Sequence, residues 1–211
     1  MKIKTILIAS ILAFGLLAFN NPSQNKTKQS NTETDEKEDT VSVTYSIDKQ
    51  NSVVNWKGTM IGVYAHTGTI KFTEGSLILE NKVIIEGSFQ ADLNSMVTTD
   101  SDEQYKNAPR EKLISHLKSD DFFSTDQFPT AEFKIKNHTG NVITGDLTVK
   151  GITLEETVTN VILTETNGTI TATGSLVFDR QKYDVTYKNK MGDMILSDDI
   201  ELTISISGKT E

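Results

Sequence analysis

The sequence predicts an all-β fold, an antiparallel barrel or sandwich of about eight strands with one short helix over residues 108–118. Three observations carry this. Apolar and polar residues alternate with a period of two over most of the chain after Val41. No helix long enough for a βαβ unit appears, which disfavours a parallel sheet. Helical spacing interrupts the pattern in one place, Lys112 to Lys136.

The elements follow in chain order. Val43, Tyr45 and Ile47 alternate with serine and threonine, and Val54 and Trp56 continue after a bend at 48–52. Gly58, Gly62 and Gly68 break up the next stretch, after which Ile70 and Phe72 alternate. Leu77 and Leu79 share a face, and Asn81-Lys82 is a turn. The longest alternation places Val83, Ile85, Gly87, Phe89, Ala91 and Leu93 on one face, the pattern of a sheet with one side in water. A polar segment over 94–111 holds the acidic run 100–103, read as solvated loop charge, with Asn107 as helix cap and Pro109 in the first turn. Leu113, Ile114 and Leu117 share a helical face. Phe122 and Phe123 follow, and Phe128-Pro129 turns the chain into the alternation Ala131, Phe133, Ile135. Ile143, Gly145, Leu147 and Val149 form a further inward face, while Val158, Val161, Ile162 and Leu163 leave the next strand's face ambiguous. Asn167-Gly168 signals a hairpin, followed by Ile170, Ala172, Gly174, Leu176 and Phe178. A polar loop over 179–199 contains Arg180, Tyr183 and Tyr187, and the last strand turns Ile200, Leu202, Ile204 and Ile206 inward.

The N-terminus carries an address. Lys2 and Lys4 precede the apolar run Thr5 to Phe19, the layout of a secretory signal peptide over 1–22, with an uncleaved anchor as the alternative. Residues 23–40 hold no aliphatic or aromatic side chain, so 23–41 reads as a disordered linker before a barrel domain at 42–209. The expected location is outside the cytoplasm, periplasmic or extracellular. The chain has no cysteine, which excludes disulfides, a catalytic thiol and a lipidated cysteine. Without residues 1–22 the chain has 19 basic and 29 acidic side chains, a net of −10 that disfavours nucleic acid and anionic membrane as partners.

Catalytic patterns are sparse. His66, His116 and His138 have no second ligand at metal-binding spacing. Gly87-Ser88 and Gly174-Ser175 sit inside strands rather than on a nucleophile elbow. No glycine-rich phosphate loop is present. These absences favour a binding protein over an enzyme, with no metal and no resident cofactor expected.

Several motifs together resemble the YceI-like family of exported, polyisoprenoid-binding, lipocalin-like barrels. Tyr45-Ser46-Ile47-Asp48 with Asn51 to Trp56 looks like the family's first hairpin. His66-Thr67-Gly68-Thr69-Ile70 and Gly75-Ser76-Leu77 fit its next strands, and HLKSDDFF (116–123) and FPTAEF (128–133) its helix and the following descent into a strand. Gly145-Asp146-Leu147-Thr148-Val149-Lys150-Gly151-Ile152-Thr153 fits its G-x-L-T-x-x-G-x-T turn. Arg180 with Tyr183-Asp184 stands where many members have Arg-x-x-Phe-Gly, a departure at two positions. The resemblance implies an apolar tunnel closed at one end by the helix, holding a polyprenyl, quinone-type or acyl lipid without catalysis. The alternative is an interaction module with a solid core. The expected wall is Trp56, Phe72, Leu79, Ile85, Phe89, Phe133, Leu147, Leu176, Phe178, Leu202 and Ile204, with Leu113, Leu117, Phe122 and Phe123 lining or plugging the end. His116 and Arg180 are candidate contacts for a polar head. No stable membrane insertion of the mature domain is expected, and a homodimer is left open.

Overall fold

The computed structural model describes residues 41–187 and 195–211; the expected signal peptide and all but the last residue of the linker lie outside them. The strands are β1 (Ser42–Ile47), β2 (Val53–Ile61), β3 (Tyr64–Glu80), β4 (Val83–Thr98), β5 (Thr130–Thr139), β6 (Val142–Val149), β7 (Ile152–Thr166), β8 (Thr169–Asp179) and β9 (Ile195–Thr210), with helix α1 at Arg110–Lys118. All pairings are antiparallel, and β3 pairs with β4, so the sheet closes on itself.

Nine strands fill eight positions in this ring. β1 pairs with the end of β3 and the end of β9, and β2 pairs with the beginning of β3 and the rest of β9. Both run against β3, so they run the same way and share one slot. They therefore do not form the first hairpin suggested by the sequence. Asp48 makes the break between them. Its carboxylate accepts from the Gln50 and Asn51 backbone N–H groups and from the Asn51 side chain. Ser52 then ties the chain to β9: its hydroxyl donates to the Ser207 carbonyl at 3.1 Å and accepts from the Ser207 N–H at 3.0 Å.

The two ends of the barrel differ in their connections. Asn81-Lys82, Gly140-Asn141 and Asn167-Gly168 close one end in two-residue turns. Asn81, Lys82, Asn167 and Gly168 all have positive φ, as hairpin turns that follow the sheet twist require. The other end carries the two-residue turns Gly62-Val63 and Lys150-Gly151, the long connection 99–129 with α1, and the described residues 180–187; that end is the mouth.

Bulges decide which residues face the lumen. Leu79 pairs with Ile84, but Ile78 pairs with Glu86, so Ile85 is the extra residue. The bulge shifts the alternation by one, turning Ile84 inward and leaving Ile85 49% exposed, so Ile85 is not a wall residue, and Val83 also faces out. In β7 a bulge at Asn160, with φ 53°, resolves the ambiguous stretch: Val158 and Val161 are buried and Ile162 is exposed. The inward faces of β6, β8 and β9 follow the sequence reading.

Gly68 marks a close approach. A Cβ there would lie 2.0 Å from the Val97 carbonyl oxygen and 2.4 Å from the Trp56 ring. The backbone of β4 cannot retreat without breaking the ladder. Gly68→Ala is expected to lower stability by about 3 kcal/mol, read as a lower urea midpoint at unchanged slope.

Two local expectations shift. The helix begins at Arg110, with Pro109 at the cap position and no side-chain cap bond, so Asn107 does not cap it. The described parts of the expected polar loop at 179–199, residues 179–187 and 195–199, include regular structure; 188–194 lie outside the described residues. Asp179 ends β8, Arg180–Tyr183 is a 3-10 turn, and β9 begins at Ile195. Arg180, Tyr183 and Val185 are among the most buried residues of the chain. Among the described residues no helix is long and apolar enough to cross a membrane.

Candidate functional site

The inward faces do not fill the barrel. They enclose a cavity of about 330 Å³ whose lining extends to the mouth. Of the residues expected as wall, Trp56, Phe72, Phe89, Phe133, Leu147, Leu176, Phe178, Leu202 and Ile204 line it. Leu113 and Leu117 of α1 line it from the mouth, with Phe122 and Phe123. Leu79 does not: it is buried where β1, β3 and β4 meet at the closed end, opposite Val43 and Ile84. The sequence reading missed Met60, Met96, Val185, Tyr187 and Leu196, which also face the cavity. Val185 and Tyr187 left a faint period-two signal inside a segment that is otherwise polar.

The segment after α1 is wound tightly. Ser119 caps the helix through the His116 and Ser115 carbonyls, and its own carbonyl accepts from the Phe122 and Ser124 N–H groups. This winding aims Phe122 and Phe123 at the lumen. His116 sits among their neighbours, its ring edge-on to Phe122 at 5.0 Å and to Tyr187 at 4.6 Å, with Asp121 3.8 Å from Nε2. Four aromatic rings thus share the mouth.

Arg180 also touches the cavity, but its nitrogens are engaged. Nε donates to the Ser197 carbonyl at 3.0 Å, Nη1 to the Val185 carbonyl, and Nη2 to Asp198 at 3.0 Å. Burial depresses its pKa, partly offset by Asp198 and Asp179. Its bonds hold residues 180–187 against β9, which is a structural task rather than a free head-group contact.

The acidic run is not all solvated. The Asp100 side chain is 1% exposed. It accepts from the Thr67 N–H at 2.7 Å, the Thr67 hydroxyl at 2.8 Å and the Tyr105 hydroxyl at 2.6 Å, and lies 2.6 Å from His66 Nδ1. Arg110 stacks on Tyr105 at 4.3 Å and donates to the Asp100 carbonyl. Burial alone would raise the Asp100 pKa, but the bonds from Tyr105, His66 and Thr67 outweigh it and hold it below its ordinary 3.8. A depressed carboxylate stabilises the fold above its unfolded value, and that contribution is lost as pH falls through the lower folded value. The expected result is a fall in melting temperature below about pH 4 that is shallower in Asp100→Asn.

A YceI-like domain profile matches residues 45–208. The chain belongs to the YceI-like domain family. A UPF0312 protein of Staphylococcus aureus (strain bovine RF122 / ET3-1) is 35% identical over 109 residues, 47% of this chain and 63% of that protein. A second, from strain N315, is 53% identical over 51 residues, 24% of this chain and 30% of its own length. The chain therefore spans less than two thirds of these relatives. BcnA of Burkholderia cenocepacia superposes with a TM-score of 0.59 at 20% identity, over 76% of this chain and 98% of that one. A polyisoprenoid binding domain from Saccharophagus degradans superposes at 0.54 with 14% identity, over 80% and 99%. At these identities the likeness shows the YceI-like fold.

Proposed function

We propose that this YceI-like barrel is a non-catalytic carrier that holds the apolar tail of an isoprenoid or similar lipid. The carrying observation is the hollow lumen. At about 24 cal/mol per Å³, leaving about 330 Å³ of apolar space unfilled forgoes roughly 8 kcal/mol. That is comparable to a whole domain's stability. A solid-core module would have no reason to keep it. A tail that leaves water gains about 25 cal/mol per Å² and needs few polar anchors. The isoprenoid class is further supported by the polyisoprenoid binding domain among the structural neighbours.

Organic extraction of natively purified protein followed by mass spectrometry tests this. A stoichiometric prenyl or acyl species is expected. Repeated absence, with no uptake of a hydrophobic probe by the purified chain, would sink the reading. Export is part of the proposal and rests on the apolar run after Lys2 and Lys4. N-terminal sequencing of protein from the extracytoplasmic fraction should begin beyond Phe19.

A further inference from the structure

The geometry points to a polar reader at the cavity mouth, His66 with Tyr64, that selects an uncharged hydroxyl head on the bound lipid. This rests on the proposed tail binding and adds the class of head group. His66 shares the inward face of β3 with Gly68, Ile70 and Phe72, and both His66 and Tyr64 line the cavity. Behind the imidazole stands Asp100, which does not line the cavity and whose bonds to Thr67 and Tyr105 leave it no freedom to move. The Tyr105 ring stacks on His66 at 5.8 Å and 24°, and the Tyr64 ring meets it edge-on at 5.0 Å.

A carboxylate on Nδ1 assigns the ring proton to that side, leaving the Nε2 lone pair as the free edge. Among the described residues neither Nε2 of His66 nor the Tyr64 hydroxyl has a hydrogen-bond partner. An alcohol can satisfy both, donating to Nε2 and accepting from the Tyr64 hydroxyl. The strip continues inward to Trp56, whose indole N–H also finds no acceptor among the described residues.

A phosphate head fits poorly. Among the described lining residues Arg180 is the one fixed cation, and Ser197, Val185 and Asp198 already take its bonds. Glu132 adds a carboxylate to the same lining. Burying a phosphate charge without an unspent cation is costly.

Trp56 is the chain's single tryptophan and reports on the cavity directly. Delipidated full-length protein is titrated, by its fluorescence, with three probes that share a twenty-carbon isoprenoid skeleton: geranylgeraniol, geranylgeranyl phosphate and the hydrocarbon phytane. The alcohol is expected to bind at least about fivefold more tightly than phytane, roughly one net hydrogen bond, and more tightly than the phosphate. Tyr64→Phe and His66→Leu should each remove most of that advantage, read as the ratio of alcohol to phytane affinity within each variant. His66→Leu leaves a buried carboxylate short of a partner; if it does not fold, Tyr64→Phe carries the test. Tighter binding of the phosphate, equal binding of alcohol and phytane, or variants that weaken both alike would overturn the head-group inference while the tail reading stands. Failure of all three probes to bind would overturn both.

Discussion

Arg180→Ala is expected to destabilise the protein by about 3–5 kcal/mol, since it strips partners from buried backbone carbonyls and opens a void. The Val185 and Ser197 carbonyls lose their donors, and each such loss costs about 1–3 kcal/mol when water cannot replace the bond. Val185 and the adjoining Tyr183 are fully buried, so the packed face of residues 180–187 would be released with them. Asp198 is a bystander, 58% exposed, and an exposed partner contributes little. Asp198→Asn should therefore shift stability by less than about 1 kcal/mol. Arg180→Lys should rescue little, because a single ammonium cannot span three acceptors that a planar fork reaches together. Urea unfolding of the three variants checks the set. Equal losses in Arg180→Ala and Asp198→Asn would show that the ion pair, not the carbonyl contacts, holds the segment.

What the sequence shows and hides here has a physical basis. Where strands run regularly, as at Ile143 to Val149 or Ile170 to Phe178, alternation names the inward residues correctly. A bulge carries no comparable signature: nothing in Val83-Ile84-Ile85 announces that Ile85 is the extra residue, so the reading inverts there. The cavity wall was therefore legible on straight strands and blurred on β4. Long-range polar contacts are hidden for another reason. Asp100 stands in an acidic run that looks hydrated, and only folding brings Thr67, His66 and Tyr105 around it. Arg180 likewise looks like loop charge until β9 supplies its acceptor at Ser197. The aromatic mouth was half visible: Phe122 and Phe123 stood out beside the helix, whereas Tyr187 joins Phe122 from a distant part of the chain.

Phe89→Arg is expected to abolish lipid retention, lowering the extracted lipid to background and weakening probe uptake at least about a hundredfold, near 2.7 kcal/mol. Phe89 lines the cavity, its ring 6.0 Å from Phe72 and its backbone opposite Phe133. A guanidinium in that wall would carry an unpaired charge into the path of the tail. The same charge strains the empty barrel, so loss of lipid alone would not separate blocked binding from damaged folding. Ala172→Phe separates them. Ala172 lines the same lumen from β8, and a ring there fills apolar space without introducing charge. If the lumen exists for a tail, Ala172→Phe should raise the melting temperature of delipidated protein, because it removes part of the void. It should at the same time weaken probe uptake about tenfold or more, because ring and tail compete for one volume. Stability and binding then move in opposite directions. A variant that gains stability and still binds as wild type would place the lipid outside the barrel.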